Sequence, residues 1–90
     1  MSAFDIVVVD ILTERQRQEA KWGQQNHDDF VWLAILMEEI GEAAKALLDN
    51  GHDGFTKIIR PELLQAVAVG AAWLECIDRR AALHGEEEKP

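Results

Sequence analysis

Apolar positions along the chain fall into three stretches separated by polar or glycine-containing breaks. The first opens with Phe4, Ile6, Val7, Val8, Val9, Ile11 and Leu12 and continues through the polar residues 14–21. Its β-branched start favours a strand, but no turn signal follows, and the unbroken continuation predicts a helix over about 4–21. Trp22-Gly23-Gln24-Gln25-Asn26-His27 then breaks the pattern, with Gly23 and Asn26 suited to a loop. Asp28 or Asp29 can cap the next helix, because a short carboxylate accepts the N–H bonds left open at a helix start. That helix is expected over about 29–48, ending near Asn50-Gly51. Its first half, Phe30-Val31-Trp32-Leu33-Ala34-Ile35-Leu36-Met37, is apolar all the way round, as in helices buried on several sides. Residues 49–57, with Gly51 and Gly54, read as a loop. Pro61 fits the first position of a third helix running to about 83 and stopping at Gly85. The small side chains of Ala66, Ala68, Gly70, Ala71 and Ala72 let another helix approach that one closely. The expected fold is therefore all-α, with three main helices in a single domain over 1–85 and a frayed acidic tail over 86–90.

Composition narrows the class of partner. A chain of 90 residues is one small domain, and oligomerisation is the natural way for it to gain buried area. Three helices with small-residue faces suggest a homodimer or a dimer of dimers with a four-helix-bundle-like core. The hydrophobic content of 48% is too high for a disordered chain. A net charge of −8 offers no basic field for a nucleic-acid backbone. The single Cys76 excludes an intrachain disulfide and a cysteine-based zinc site, and its apolar neighbours Leu74 and Ile77 predict a buried thiol. Asp5 and Asp10 bracket the early apolar run, which is unlike a signal peptide. The uncharged run 63–74 is too short to span a bilayer. A cytoplasmic protein without a membrane partner is the default expectation.

The polar chemistry concentrates in Glu38-Glu39-Ile40-Gly41-Glu42. Glu38 and Glu42 stack on one helix face, about 6 Å apart, and Glu39 is turned about 100° from Glu38. Like charges at this spacing weaken a bare helix. A hard divalent cation, Mg²⁺ or alternatively Mn²⁺, would offset that. If the second and third helices pack antiparallel, Glu62 faces Glu42, and Gln65, on the same face as Glu62, adds a carbonyl oxygen or holds a bound water. The plainer alternative is a solvated acidic face, since glutamate is a good helix former. His27, His52 and His84 have no metal-ligand spacing, and the Glu-x-x-His pairs of di-iron bundles are missing. There is no P-loop or dinucleotide-binding turn.

Glu38-Glu39-x-x-Glu42 followed by Glu62, with the lead-in Lys21-Trp22-Gly23 and Gln25-Asn26-His27-Asp28, resembles the MazG-like nucleoside triphosphate pyrophosphohydrolases. The likeness covers about residues 14–80. In the aspartate position of the family's Glu-x-x-Asp stands Gln65, which removes one negative ligand. A literal Glu-x-x-Asp occurs at Glu75 and Asp78. It lies about 20 Å further along the helix than Glu62, and its neighbours Arg79 and Arg80 give it the look of a solvated face.

The resemblance implies hydrolysis of a nucleoside triphosphate to the monophosphate and pyrophosphate, by a homo-oligomer. Glu38, Glu42 and Glu62 would then ligate Mg²⁺, with Gln65 beside them, and Glu39 would hold a second ion or orient the attacking water. Lys45 and Arg60 are candidates for the phosphates, whereas Lys57 reads as surface charge. Trp22 is either a stacking surface for the base, with Gln25 or Asn26 reading its edge, or a core aromatic that anchors the loop. Trp32 and Trp73 read as core. The change at Gln65 keeps a second reading open, a helical module that binds nucleotide or metal without turnover. A third is a purely structural oligomerisation protein.

Overall fold

The computed structural model describes residues 1–51 and 55–85. The expected tail over 86–90, His52 and the middle of the expected loop lie outside them. Three helices account for the fold: α1, Ala3–Trp22; α2, Asp29–Asn50; and α3, Phe55–Leu83. No strand occurs among the described residues, so the chain is all-α.

Local chemistry explains the helix ends. Ser2 caps α1 reciprocally: its Oγ accepts from Asp5 N at 3.1 Å, and the Asp5 carboxylate accepts from Ser2 N at 2.9 Å. This box fixes the first turn before the β-branched run begins, so Ile6–Val9 continue as helix. Asp28 caps α2 by accepting from Val31 N at 3.0 Å. Gly23 and Gly51 terminate α1 and α2 at φ 72° and 61°, a region costly for any residue with a Cβ.

The third helix differs from expectation. It begins at Phe55, six residues before Pro61. Proline here leaves the Lys57 carbonyl without its helical donor. Lys57 is exposed, so water can serve that carbonyl, and the helix need not start at the proline.

α3 is the central element, packing against both α1 and α2, whose own backbones stay apart. α2 and α3 run antiparallel: Trp73 Nε1 donates to Asp29 at the start of α2, while Glu62 meets Glu39 and Glu42 further along it. α1 runs with α3, since Asp10 pairs with Arg60 and Arg15 with Glu75. The core gathers around Trp32, 1% exposed, with Val69, Cys76, Ile35, Leu36, Ala72 and Trp73. Buried Ala43, Ala66 and Ala68 permit the close approach their size predicted. Trp32→Ala is expected to cost about 3–5 kcal/mol, the usual range for a buried aromatic, read as a lowered urea midpoint.

This core leaves much apolar surface uncovered. Phe30, Leu33, Met37, Ile40 and Leu47 are all exposed on α2, as are Leu63, Val67 and Leu74 on α3. No helix among the described residues is long and apolar enough to cross a membrane.

Candidate metal and ligand site

The stripe of α2 that faces α3 runs Trp32, Leu36, Glu39, Ala43, at alternating spacings of about four and three residues expected for one helix face. Glu39 therefore enters the interface, directly after the apolar stretch. Glu42, one turn on, and Glu62 of α3 meet it there. A carboxylate oxygen from each of the three lies within 4.8 Å of the other two. The Oε2 atoms of Glu39 and Glu62 are buried and without a hydrogen-bond partner. Burial, then Glu42, Glu62, Glu38 and Glu14 in turn, push the Glu39 carboxyl above its ordinary range.

A buried, orphaned carboxylate oxygen is costly unless a cation or a proton completes it. Two such atoms converging on a third carboxylate make an oxygen-rich donor set that fits Mg²⁺ or Mn²⁺. Glu38 is exposed and outside this group. Gln65 lines the adjoining cleft, and its backbone carbonyl accepts from Gln18 Nε2 at 3.4 Å. Glu75 is committed elsewhere, with both oxygens bound by Arg15 at 2.6 and 3.0 Å. That contact holds the Glu75 carboxyl below, and the Arg15 guanidinium above, their usual ranges.

Glu39, alone of the three carboxylates, lines a cleft of about 150 Å³ between α1, α2 and α3. Trp22 and Gln25 line it, as do Arg15, Arg17 and Arg79. Trp22 is half exposed, with Lys21 Nζ over its ring at 4.8 Å from the centre, so it is not a core aromatic. The 23–28 loop is tied down by Arg79, which donates to Gln25 O at 3.0 Å and to Asn26 Oδ1 at 3.1 Å. His27 packs edge-on against Trp32, with ring centres 5.0 Å apart.

Three expected ligand contacts stand apart from this cleft. The Asn26 amide oxygen is used by Arg79, Lys45 pairs with Asp49, and Arg60 pairs with Asp10 at 2.7 Å. Cys76 is buried. The cleft arginines and Glu14 were not singled out from the sequence. Their signal lies in the polar half of α1, where Arg15, Gln18 and Trp22 are spaced to share a face. Compared with models of protein families, with curated proteins and with solved structures, the chain matches none.

The raised Glu39 carboxyl gives a pH-dependent prediction for the metal-free protein. A carboxyl whose folded pKa is raised leaves stability intact below its unfolded value, 4.5, and takes stability away as pH rises through the folded value. Glu39→Gln should therefore melt higher than the parent at pH 7, and level with it below pH 4.5. Relief of two or three like-charge contacts of a few tenths of a kcal/mol corresponds to a rise of roughly 2–5 °C in a domain this size. Thermal melts in EDTA across pH check it.

Proposed function

We propose that this chain is a Mg²⁺-dependent nucleoside triphosphate pyrophosphohydrolase that converts a (d)NTP to the (d)NMP and pyrophosphate, clearing unwanted nucleotides from the cytoplasm. The observation that carries the reading is the meeting of Glu39, Glu42 and Glu62, with two buried unpartnered oxygens, where Glu39 also lines a cleft that holds three arginines. The MazG-like motif noted in the sequence supports the same reading.

Bound Mg²⁺ would neutralise phosphate charge and polarise the phosphorus under attack. Glu39, Glu42 and Glu62 are the residues that would hold it. Glu39 would also take the proton of the attacking water. Water oxygen bonds to the α-phosphorus, the bond from that phosphorus to the bridging oxygen breaks, and pyrophosphate leaves. Arg17, exposed at the cleft, would meet the phosphates, and Trp22 would offer its ring to the base.

The cleft volume of about 150 Å³ is below the ~300–1,000 Å³ of pockets that enclose a whole drug-sized ligand. A second copy of the chain is the natural completion. Phe30, Leu33, Met37 and Ile40 follow one another on α2 at steps of three, four and three, Leu47 lies a full heptad beyond Ile40, and all are exposed. On α3, Leu63 and Val67 are four apart and Leu74 lies a heptad beyond Val67. Such seams pack knobs-into-holes against another helix, and two copies would build a four-helix bundle from α2 and α3.

A pyrophosphate-release assay over canonical and modified dNTPs and NTPs, with Mg²⁺, Mn²⁺ or EDTA, tests the reading. Metal-dependent release from any of them supports it. No release by a folded protein that binds Mn²⁺ would leave the non-catalytic binding module, with Gln65 as the disabling change.

A further inference from the structure

The most buried wall of the cleft is made by Trp32 and Val69, 1% and 7% exposed, and Ile35 and Ala72 extend it. Trp32 carries a polar atom within this apolar wall. Its indole Nε1 is buried and has no hydrogen-bond partner. Trp73 differs, since its Nε1 donates to Asp29 at 3.0 Å. His27 packs edge-on against Trp32, but its Nε2 is unpartnered too, so the two rings do not serve each other. Of these two side chains, only Trp32 lines the cleft. A buried N–H without an acceptor is costly, and a native structure that keeps one calls for a partner.

Gln18 offers the complementary group. It is 6% exposed and lines the same cleft. Its amide Nε2 donates to Glu14 Oε2 at 3.3 Å and to the Gln65 carbonyl at 3.4 Å. Both partners are acceptors, so the amide cannot turn over without losing both bonds. Oε1 is thereby held as an acceptor, and no hydrogen bond among the described residues uses it. One donor and one acceptor in an otherwise apolar wall are the means by which a pocket reads a heterocycle. The volume sets the size of that ring. The cleft is about 150 Å³, the size of cavity that admits one benzene ring, and a purine carries a second fused ring. A second copy of the chain can cover the sugar and phosphates, but the wall of Trp32 and Val69 belongs to one chain.

We propose that this cleft is the base subsite and that it selects a pyrimidine, with Trp32 Nε1 donating to a ring carbonyl oxygen and Gln18 Oε1 accepting from an N–H of the same base. Uracil, thymine and cytosine each carry both groups on a single ring. A purine would leave part of its double ring outside the wall, and one of the two buried groups unpaired. The inference rests on the proposed function and deepens it by naming the substrate class. It makes no use of the carboxylates, so it can be tested without metal.

The test is titration of the full chain, without metal, with dUMP, dTMP, dCMP, dAMP and dGMP, followed by the indole N–H resonances in nitrogen–proton correlation spectra. Trp32→Phe identifies the Trp32 resonance by its loss, and circular dichroism checks the helices of each variant. A pyrimidine monophosphate should move that resonance and bind at least about tenfold more tightly than either purine. Trp32→Phe keeps an aromatic ring and Gln18→Met keeps the chain length, but each drops the polar group. Each should weaken the preferred pyrimidine about tenfold and narrow its margin over the purines. A Trp32 resonance that none of the five moves would leave water as the partner of Nε1 and overturn the inference. So would equal affinity for purines and pyrimidines, or variants that weaken every base alike. Pyrophosphate release separates the two levels. Equal metal-dependent release from purine and pyrimidine triphosphates keeps the proposed function and sinks the base subsite. Pyrimidine-selective binding without release from any triphosphate keeps the subsite and sinks hydrolysis.

Discussion

Glu39→Gln is expected to lower metal-dependent pyrophosphate release by about a thousandfold, whereas Glu38→Gln lowers it by less than about tenfold. The two residues are adjacent and chemically identical, so the contrast isolates position. Glu39 lies on the stripe of α2 that enters the α3 interface, its Oε2 is buried and unpartnered, and it meets Glu42 and Glu62. Glu38 is exposed and adds charge from outside the group. Under the proposed function, losing Glu39 as metal ligand and base removes several kcal/mol of transition-state stabilisation. A lost distant charge removes little, because water screens it. Initial rates in saturating Mg²⁺ read the difference. The assignment fails if the two variants are equally impaired, or if Glu38→Gln is the worse. The same Glu39→Gln protein should melt higher than the parent without metal and respond less to Mg²⁺, which a misfolded variant would not do.

Leu33→Glu is expected to convert the proposed homo-oligomer to a monomer. Leu33 is 47% exposed and sits between Phe30 and Met37 on the heptad seam of α2. As a surface position in the isolated chain, it accepts a carboxylate without disturbing the core around Trp32. Buried between two copies, the same carboxylate has no partner, and symmetry places a second one in the same interface. A penalty of about 4 kcal/mol weakens association about a thousandfold. Sedimentation velocity of the parent and the variant, at equal concentration, gives the answer. A parent that is already monomeric would remove the seam from the argument. A variant that keeps the parent's mass would move the interface to another face.

These two predictions mark where the sequence was legible. Helix number and type followed from local rules: uninterrupted apolar periodicity, Asp28 as a cap, Gly23 and Gly51 as terminators. Pro61 misled on the start of α3, because proline is tolerated within a helix where the carbonyl it orphans lies at the surface. The acidic residues were equally plain, and so was the prospect that Glu62 would come near Glu42 across an antiparallel pair.

The phase of α2 could not be read in the same way. Phe30 to Met37 is apolar on every side, so hydrophobicity does not say which stripe turns inward. Glu38 and Glu42 pair well by spacing, and so do Glu39 and Glu42. Only packing against α3, with Trp32 as the largest buried side chain, decides that Glu39 goes in and Glu38 stays out. The cleft cations show the same limit. Lys45 and Arg60 are near the motif in sequence but are occupied by Asp49 and Asp10, while Arg15, Arg17 and Arg79 reach the cleft from α1 and the far end of α3. By itself the sequence determined which helices form and that a carboxylate-rich turn follows an apolar wall, because caps, terminators and periodicity act within a few residues. The tertiary structure decided which glutamates converge and which arginines share a cleft with Glu39, because those arrangements depend on the rotation of one helix against another.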